Sequence, residues 1–482
     1  MDQNTKDAIP NQIEDMQAEI HHLLPWLIHH GMDDPQGLLR FACPDPSDPI
    51  QGQLTSKSAA ETKDLAVPED SMPIRDVINE FYSITRSRVL THHPKFFSFI
   101  PSTMLPISWL ADIVVSAANP HLGGRLAGSS CNLVEENLMT WFITKIGFPV
   151  DDAVGLSVSG GSMANFMALT AARDEHIRGV ENHSRAVIYV SEHTHFSISK
   201  TARVLGFSPD QVREIPGLQP DVLAYVIRND KKAGLVPMAV VTTLGSTVSG
   251  KIDPIPEVAE VSREHNIWLH IDGAYGSSII LSPSHHELAR GIEKANSVTW
   301  DAHKWLFSSY GCGMLFVRNK TSLMRSFSAH SDFLDGSGRE AEAEFWDLGL
   351  ELTRPARAIR LWFILRVLGS HQIGRMIDRG IDMAKEFETR FRSLKDWSVL
   401  SPAQMAILIV RFQPEGKDET DIDGLNQRIA DDALEKNIAA VQIVRFDGHS
   451  CLRMCVINPR LASTDPESIV NAMADIAIDS LS

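Results

Sequence analysis

Six short apolar runs, separated by stretches with a helical pattern, constrain this chain of 482 residues more than any other feature. They are VGLSV (154–158), AVIYVS (186–191), MAVVTTLGS (238–246), IWLHID (267–272), SVTWD (297–301) and GMLFV (313–317). Their hydrophobicity is continuous rather than alternating, which predicts strands covered on both faces. Strands alternating with helices predict a mostly parallel α/β sheet. Ligands of such sheets bind beyond the carboxyl ends of the strands. Polar residues stand at those ends: Ser159 to Ser162, then His193 and His195, then Ser246 and Thr247, then Asp272, then His303 and Lys304. Five strand ends with polar chemistry in one sheet are hard to explain as accident.

Two of these ends pair a carboxylate with a lysine. WLHIDGAYGSS closes on Asp272 and SVTWDAHKWLF carries Lys304 after His303. A pyridoxal phosphate (PLP) site needs those two groups: a lysine to form the Schiff base and an acid to hold the pyridine nitrogen protonated. A flat histidine such as His195 could stack on the ring. The strand 154–158 runs through Ser159-Gly160-Gly161-Ser162 directly into an Ala-rich helix. Glycines allow the tight turn, and the first helix amides then face outwards as an anion site, so Gly161 and Ser162 are candidate phosphate ligands. Each residue alone has a plain explanation, a solvated lysine or a capping aspartate. The joint arrangement carries the weight.

Elsewhere the pattern is supporting structure. Residues 11–41 read as one or two amphipathic helices, on which His21, His22, His29 and His30 form two adjacent pairs. Neighbours on a helix point about 100° apart, so these are read as solvated or packed histidines and no metal site is assigned. Residues 43–73 are rich in Pro, Ser, Asp and Glu and read as a wrapping linker. A helix is expected from about Ile74 to Leu90. The aromatic cluster HHPKFFSFIPS (92–102) is either a packed loop or a pocket wall. NPHLGGRLAGSSCN (119–132) is a glycine-rich segment of the kind that lines a site. Residues 330–344 read as a mobile loop, and Arg354, Arg357 and Arg360 form a ridge that either pairs with acidic neighbours or meets a ligand. Strands at 405–412 and 450–458 with flanking helices predict a small α+β unit. The expected division is an N-terminal helical segment (1–105), a large cofactor-binding domain (106–370) and a small C-terminal domain (371–482).

Composition narrows the partners. The 45 Lys+Arg against 61 Asp+Glu leave a formal charge of −16, without the basic block that tracks phosphate backbones, so nucleic acid is not expected. Five scattered cysteines predict reduced thiols. Neither a secretory signal nor a run of membrane-spanning length is read, and a cytoplasmic location is expected.

The motifs SGGSMAN, SEHTHFSISKTA, TTLGSTVSGKID, WLHIDGAYG and DAHKWLF resemble the group II PLP-dependent decarboxylases. The nearest branch is that of aromatic-L-amino-acid decarboxylases, with tyrosine, tryptophan and histidine decarboxylases. The resemblance runs from HHPKFFSFIPS to the C-terminal unit. It implies the aspartate-aminotransferase-like fold (fold type I) and a homodimer with its site at the subunit interface. It assigns Lys304 as the cofactor lysine, His303 beside it, Asp272 on the pyridine nitrogen, Ala274 under the ring and His195 above it. Gly161 and Ser162 take the phosphate, with Thr247 near ring and phosphate. Phe99, Pro101 and Ser102 fall in the substrate pocket, where the family usually has threonine at Ser102.

Two departures stand out. Counting back from the Arg354 helix puts Phe345 where these decarboxylases carry a loop tyrosine thought to protonate the carbanion, and phenylalanine has no proton to give. No tyrosine occurs between Tyr310 and the chain end, which leaves His195 as a candidate acid. In related plant enzymes a phenylalanine there accompanies decarboxylation with oxidative deamination. The second departure is that His121, Gly123 and Arg125 replace bulky apolar residues, which enlarges the pocket and offers an arginine to a carboxylate. The expected function is therefore decarboxylation of an aromatic-type L-amino acid to amine and CO2. The alternative is an aldehyde synthase that consumes O2 and releases ammonia and H2O2.

Overall fold

The computed structural model describes residues 47–51, 67–85, 88–101, 103–177, 179–328 and 343–481. The expected helices over 11–41, the histidines on them, most of the 43–73 linker, Ser102 and most of the 330–344 loop lie outside these residues.

All six apolar runs form strands of one seven-stranded sheet: β1 (Val154–Val158), β2 (Ala186–Val190), β4 (Val236–Thr243), β5 (Trp268–Asp272), β6 (Ser297–Asp301) and β7 (Gly313–Val317), joined by β3 (Val212–Glu214). The order is β1-β7-β6-β5-β4-β2-β3, with β7 antiparallel to both neighbours and the other pairings parallel. The runs are continuous because both faces are buried. Val187 and Tyr189 enter one core cluster while Ile188 and Val190 enter the other. Strand β3 escaped the sequence because it is a three-residue edge, half exposed.

The described α-helices of eight or more residues are α1 (Ile74–Thr85), α2 (Pro106–Ala118), α3 (Ser130–Ile146), α4 (Gly161–His176), α5 (Ser197–Val204), α6 (Pro220–Lys232), α7 (Ile255–His265), α8 (Lys320–Phe327), α9 (Arg357–Ser393), α10 (Glu419–Glu435) and α11 (Asp465–Asp479). Helix α4 buries Ala164, Ala168, Ala171 and Ala172, whose small side chains let its backbone approach the sheet. Helix α9 is broken at Gly369, whose φ of 72° and ψ of 155° suit glycine.

The C-terminal sheet is antiparallel, ordered β10-β11-β9-β8, from β8 (Trp397–Gln404), β9 (Ile407–Phe412), β10 (Gln442–Phe446) and β11 (His449–Cys455). Its two central strands were legible. Its edges, β8 and β10, carry interleaved polar residues because only part of each is buried.

Register places the site. Thr243, Asp272 and Thr299 are direct partners across β4, β5 and β6, and Asp301 opposes Gly313. The carboxyl ends of three parallel strands therefore share one edge.

Candidate active site

At that edge lies a cavity of about 580 Å3, lined by Gly161, Ser162, His193, His195, Thr247, Asp272, Ala274, His303 and Lys304, with Phe99 and Pro101 on the outer wall. Lys304 follows β6 in the turn 302–306, and its Nζ lies 3.2 Å from Oδ2 of Asp301. The same oxygen is 3.6 Å from Nε2 of His303, whose Nδ1 sits 2.9 Å from the Cys312 carbonyl oxygen. Asp301 is buried and its Oδ1 has no hydrogen-bond partner among the described residues. It is the first site residue that the sequence reading passed over.

Asp272 is also buried. Its Oδ1 accepts from the Ala274 amide at 3.2 Å and its Oδ2 from Nδ2 of Asn165 at 2.9 Å. Asn165 sits one turn into α4 and was not singled out either. Its Oδ1 accepts from Thr299 Oγ1 at 2.6 Å and faces Nε2 of His270 at 2.9 Å. Nδ1 of His270 meets Ser297 Oγ at 2.8 Å, which also receives the Trp268 indole N–H at 2.8 Å. Full burial pushes His270 down to about 4, so it is neutral at pH 7. His195, after β2, has Nδ1 2.8 Å from Ser197 Oγ and 3.3 Å from the Ser197 amide. Burial lowers its pKa, opposed by Asp272 and supported by Lys304.

The residues fit PLP. No side chain caps α4, so its first amides remain available to an anion beside Gly161 and Ser162. A Cβ on Gly161 would come within 2.8 Å of Asp301 Oδ2 and 3.1 Å of the Ala274 methyl. Asp272, held by two donors, presents a carboxylate suited to a pyridinium nitrogen. Ala274 and His195 line the same cavity, and Lys304 supplies the amine. The cofactor, when bound, supplies an electron sink conjugated to the substrate Cα.

A further residue comes from the C-terminal sheet. Arg453 in β11 lines the cavity with Gln442 and Val444, and is buried. Its Nη1 donates to the Ser98 carbonyl at 2.7 Å and its Nε to the Val248 carbonyl at 3.2 Å. Its Nη2 has no hydrogen-bond partner among the described residues. An arginine set between the apolar Leu452 and Met454 was the available signal.

Three expected site residues stand elsewhere. His121, Arg125 and Phe345 do not line this cavity. Arg125 bonds Glu136 at 3.0 Å and, through its amide, Glu344 at 2.9 Å. With Phe345 it lines a second cavity of about 600 Å3 that shares no lining residue with the first. His121 bridges to Pro355. Phe345 is buried in the core cluster around α4, 4.4 Å beneath the Arg354 guanidinium. The arginine ridge is a set of paired groups: Arg354 with Glu135 (2.7 Å), Arg357 with Glu351 (2.6 Å) and Arg360 with Asp112 (3.2 Å).

A mostly parallel α/β sheet with a lysine, a held aspartate and an uncapped helix at one edge defines a PLP-dependent enzyme of fold type I. The comparisons narrow the class. The family model described as Pyridoxal-dependent decarboxylase conserved domain matches residues 57–413. The chain is 32% identical over 443 residues to an aromatic-L-amino-acid decarboxylase of Bacillus atrophaeus, covering 88% of this chain and 91% of that one. It is 28% identical to a phenylacetaldehyde synthase of Petunia hybrida over 81% of this chain and 83% of that protein. The solved structure of Oryza sativa TDC with PLP and tryptamine superposes with a TM-score of 0.87 at 24% identity, covering 97% and 99% of the two chains, and shows the shared fold. This chain belongs to the pyridoxal-dependent decarboxylase family, and its cofactor is PLP.

Proposed function

We propose that this enzyme removes the α-carboxyl group of an aromatic L-amino acid, yielding the amine and CO2. The observation that carries the reading is the convergence of Lys304, Asp272 and His195 on one cavity with an apolar wall of Phe99, Ile100, Val248 and Val444. Kinship with the Bacillus aromatic-L-amino-acid decarboxylase supports the substrate class. In this reading Asp272 holds the electron-poor ring, and Gly161, Ser162 and Thr247 hold the phosphate, with His303 beside Lys304. Arg453 offers its uncommitted Nη2 to a carboxylate of the bound amino acid. His195 delivers the proton that Cα takes up once CO2 has left.

The oxidative alternative rested on Phe345, whose ring packs under Arg354 rather than against this cavity. Simple decarboxylation is therefore the preferred outcome. A homodimer is also proposed. Leu110, Ile113 and Val114 on α2, Leu126, Leu133 on α3, Leu350 and Leu352 are all exposed, an apolar area that a second copy would cover. Free thiols at Cys131, Cys312, Cys451 and Cys455 agree with a cytoplasmic home, and no described helix is long and apolar enough to cross a membrane.

The test combines borohydride trapping with a substrate panel. PLP-loaded protein should show a reducible adduct mapped to Lys304 and turn over tryptophan, tyrosine or phenylalanine. An adduct at another lysine, or turnover confined to non-aromatic amino acids, would contradict the reading.

A further inference from the structure

Asn165 makes four side-chain hydrogen bonds in a buried position, and their directions are fixed by groups that have no choice. The Asp272 carboxylate can only accept, so the Asn165 amide NH2 faces it and the Asn165 Oδ1 faces His270 Nε2 and Thr299 Oγ1. His270 then carries its hydrogen on Nε2 and donates to Oδ1 of Asn165, which also accepts from Thr299. The same NH2 reaches Asp272 Oδ2 at 2.9 Å and Ser197 Oγ at 3.0 Å. The Ser197 backbone amide donates to Nδ1 of His195 at 3.3 Å, which makes that nitrogen an acceptor, and the Ser197 hydroxyl, accepting from Asn165, is turned to donate to it at 2.8 Å. The ring nitrogen left to carry the hydrogen of neutral His195 is Nε2.

We infer that Asn165 is a positioning residue that ties the two sides of the cofactor site together, fixing the Asp272 carboxylate and, through Ser197, setting His195 in its Nε2–H tautomer. The inference rests on the proposed PLP chemistry only in the use made of that proton. The tautomer itself is a property of this chain. Replacing the amide by a carboxyl group of the same shape removes one donor if it is protonated and both if it is ionised, so Asn165→Asp cannot serve Asp272 and Ser197 together.

The experiment is nitrogen NMR of the protein labelled with 15N-histidine, with His195 assigned by its loss in His195→Gln, alongside PLP titration of the apoprotein. The wild type should show His195 protonated at Nε2. In Asn165→Asp that signal should change form and the PLP dissociation constant should rise about tenfold or more, the range expected when a buried charged group loses a donor. Ser197→Ala should disturb the His195 signal while leaving PLP affinity within about twofold, because the Asp272 arm is intact. It also stands in if Asn165→Asp does not fold. His195 protonated at Nδ1 in the wild type, or both variants keeping the wild-type signal, would overturn the inference. Failure of the wild type to form a trapped adduct at Lys304 would instead sink the functional reading and leave the tautomer result standing.

Discussion

At the scale of single residues, buried groups set both chemistry and stability. His270 is held near 4 by full burial, well below the usual histidine value. Its depressed folded pKa means that the unfolded chain binds the proton more readily. The stability tied to it is therefore complete above about pH 6.5 and is lost as pH falls towards 4, by on the order of 3 kcal/mol. Denaturation midpoints between pH 7.5 and 5 should fall steeply for the wild type and less steeply for His270→Gln. Equal slopes would contradict the assignment. Lys304 and Asp272 were legible because each ends an apolar run, where a polar residue has little structural reason to stand. Asn165 was not legible, since nothing in an Ala-rich helix marks one asparagine as facing the sheet edge. Asp301 lay inside a recognised motif yet carried no role until its 3.2 Å approach to Lys304 was visible.

At the scale of elements, one buried arginine joins several segments around the site. Arg354 donates to the Leu122 carbonyl at 2.9 Å, the Ser157 carbonyl at 2.8 Å and Glu135 at 2.7 Å, and it covers the ring of Phe345. It thereby links α3, β1 and the entry to α9. Arg354→Met leaves Glu135 buried without its counter-charge and should cost about 3–5 kcal/mol in chemical denaturation. Phe345→Tyr separates two readings of its position. Core packing predicts a stability loss of about 1–3 kcal/mol from the buried hydroxyl and an unchanged product ratio. A product shift towards amine would return Phe345 to a catalytic role. The strands were read correctly where both faces are covered and missed at the edges, because hydrophobicity reports burial rather than hydrogen bonding. The arginine ridge shows the same limit: Arg354, Arg357 and Arg360 share a spacing, but their carboxylates come from positions 135, 351 and 112, which spacing cannot reveal.

At the scale of the molecule, the large sheet presents its strand ends to β11 of the small one, and Arg453 enters the cavity across that junction. The cavity is thus built by segments more than 350 residues apart, from Ser98 to Arg453, which explains why its outer wall was the least legible part. The exposed apolar face around α2 predicts a particle of about twice 53.4 kDa by light scattering, and a monomer at micromolar concentration would argue against pairing. In the proposed reaction the bond broken is the one to the α-carboxyl group, and Cα then receives a proton. The most direct measurement is the product balance of the PLP-loaded protein with an aromatic L-amino acid, following CO2, amine, aldehyde and peroxide in one reaction. Equal amounts of CO2 and amine without peroxide are predicted. Aldehyde with ammonia and peroxide, or an amino acid recovered unchanged, would contradict it.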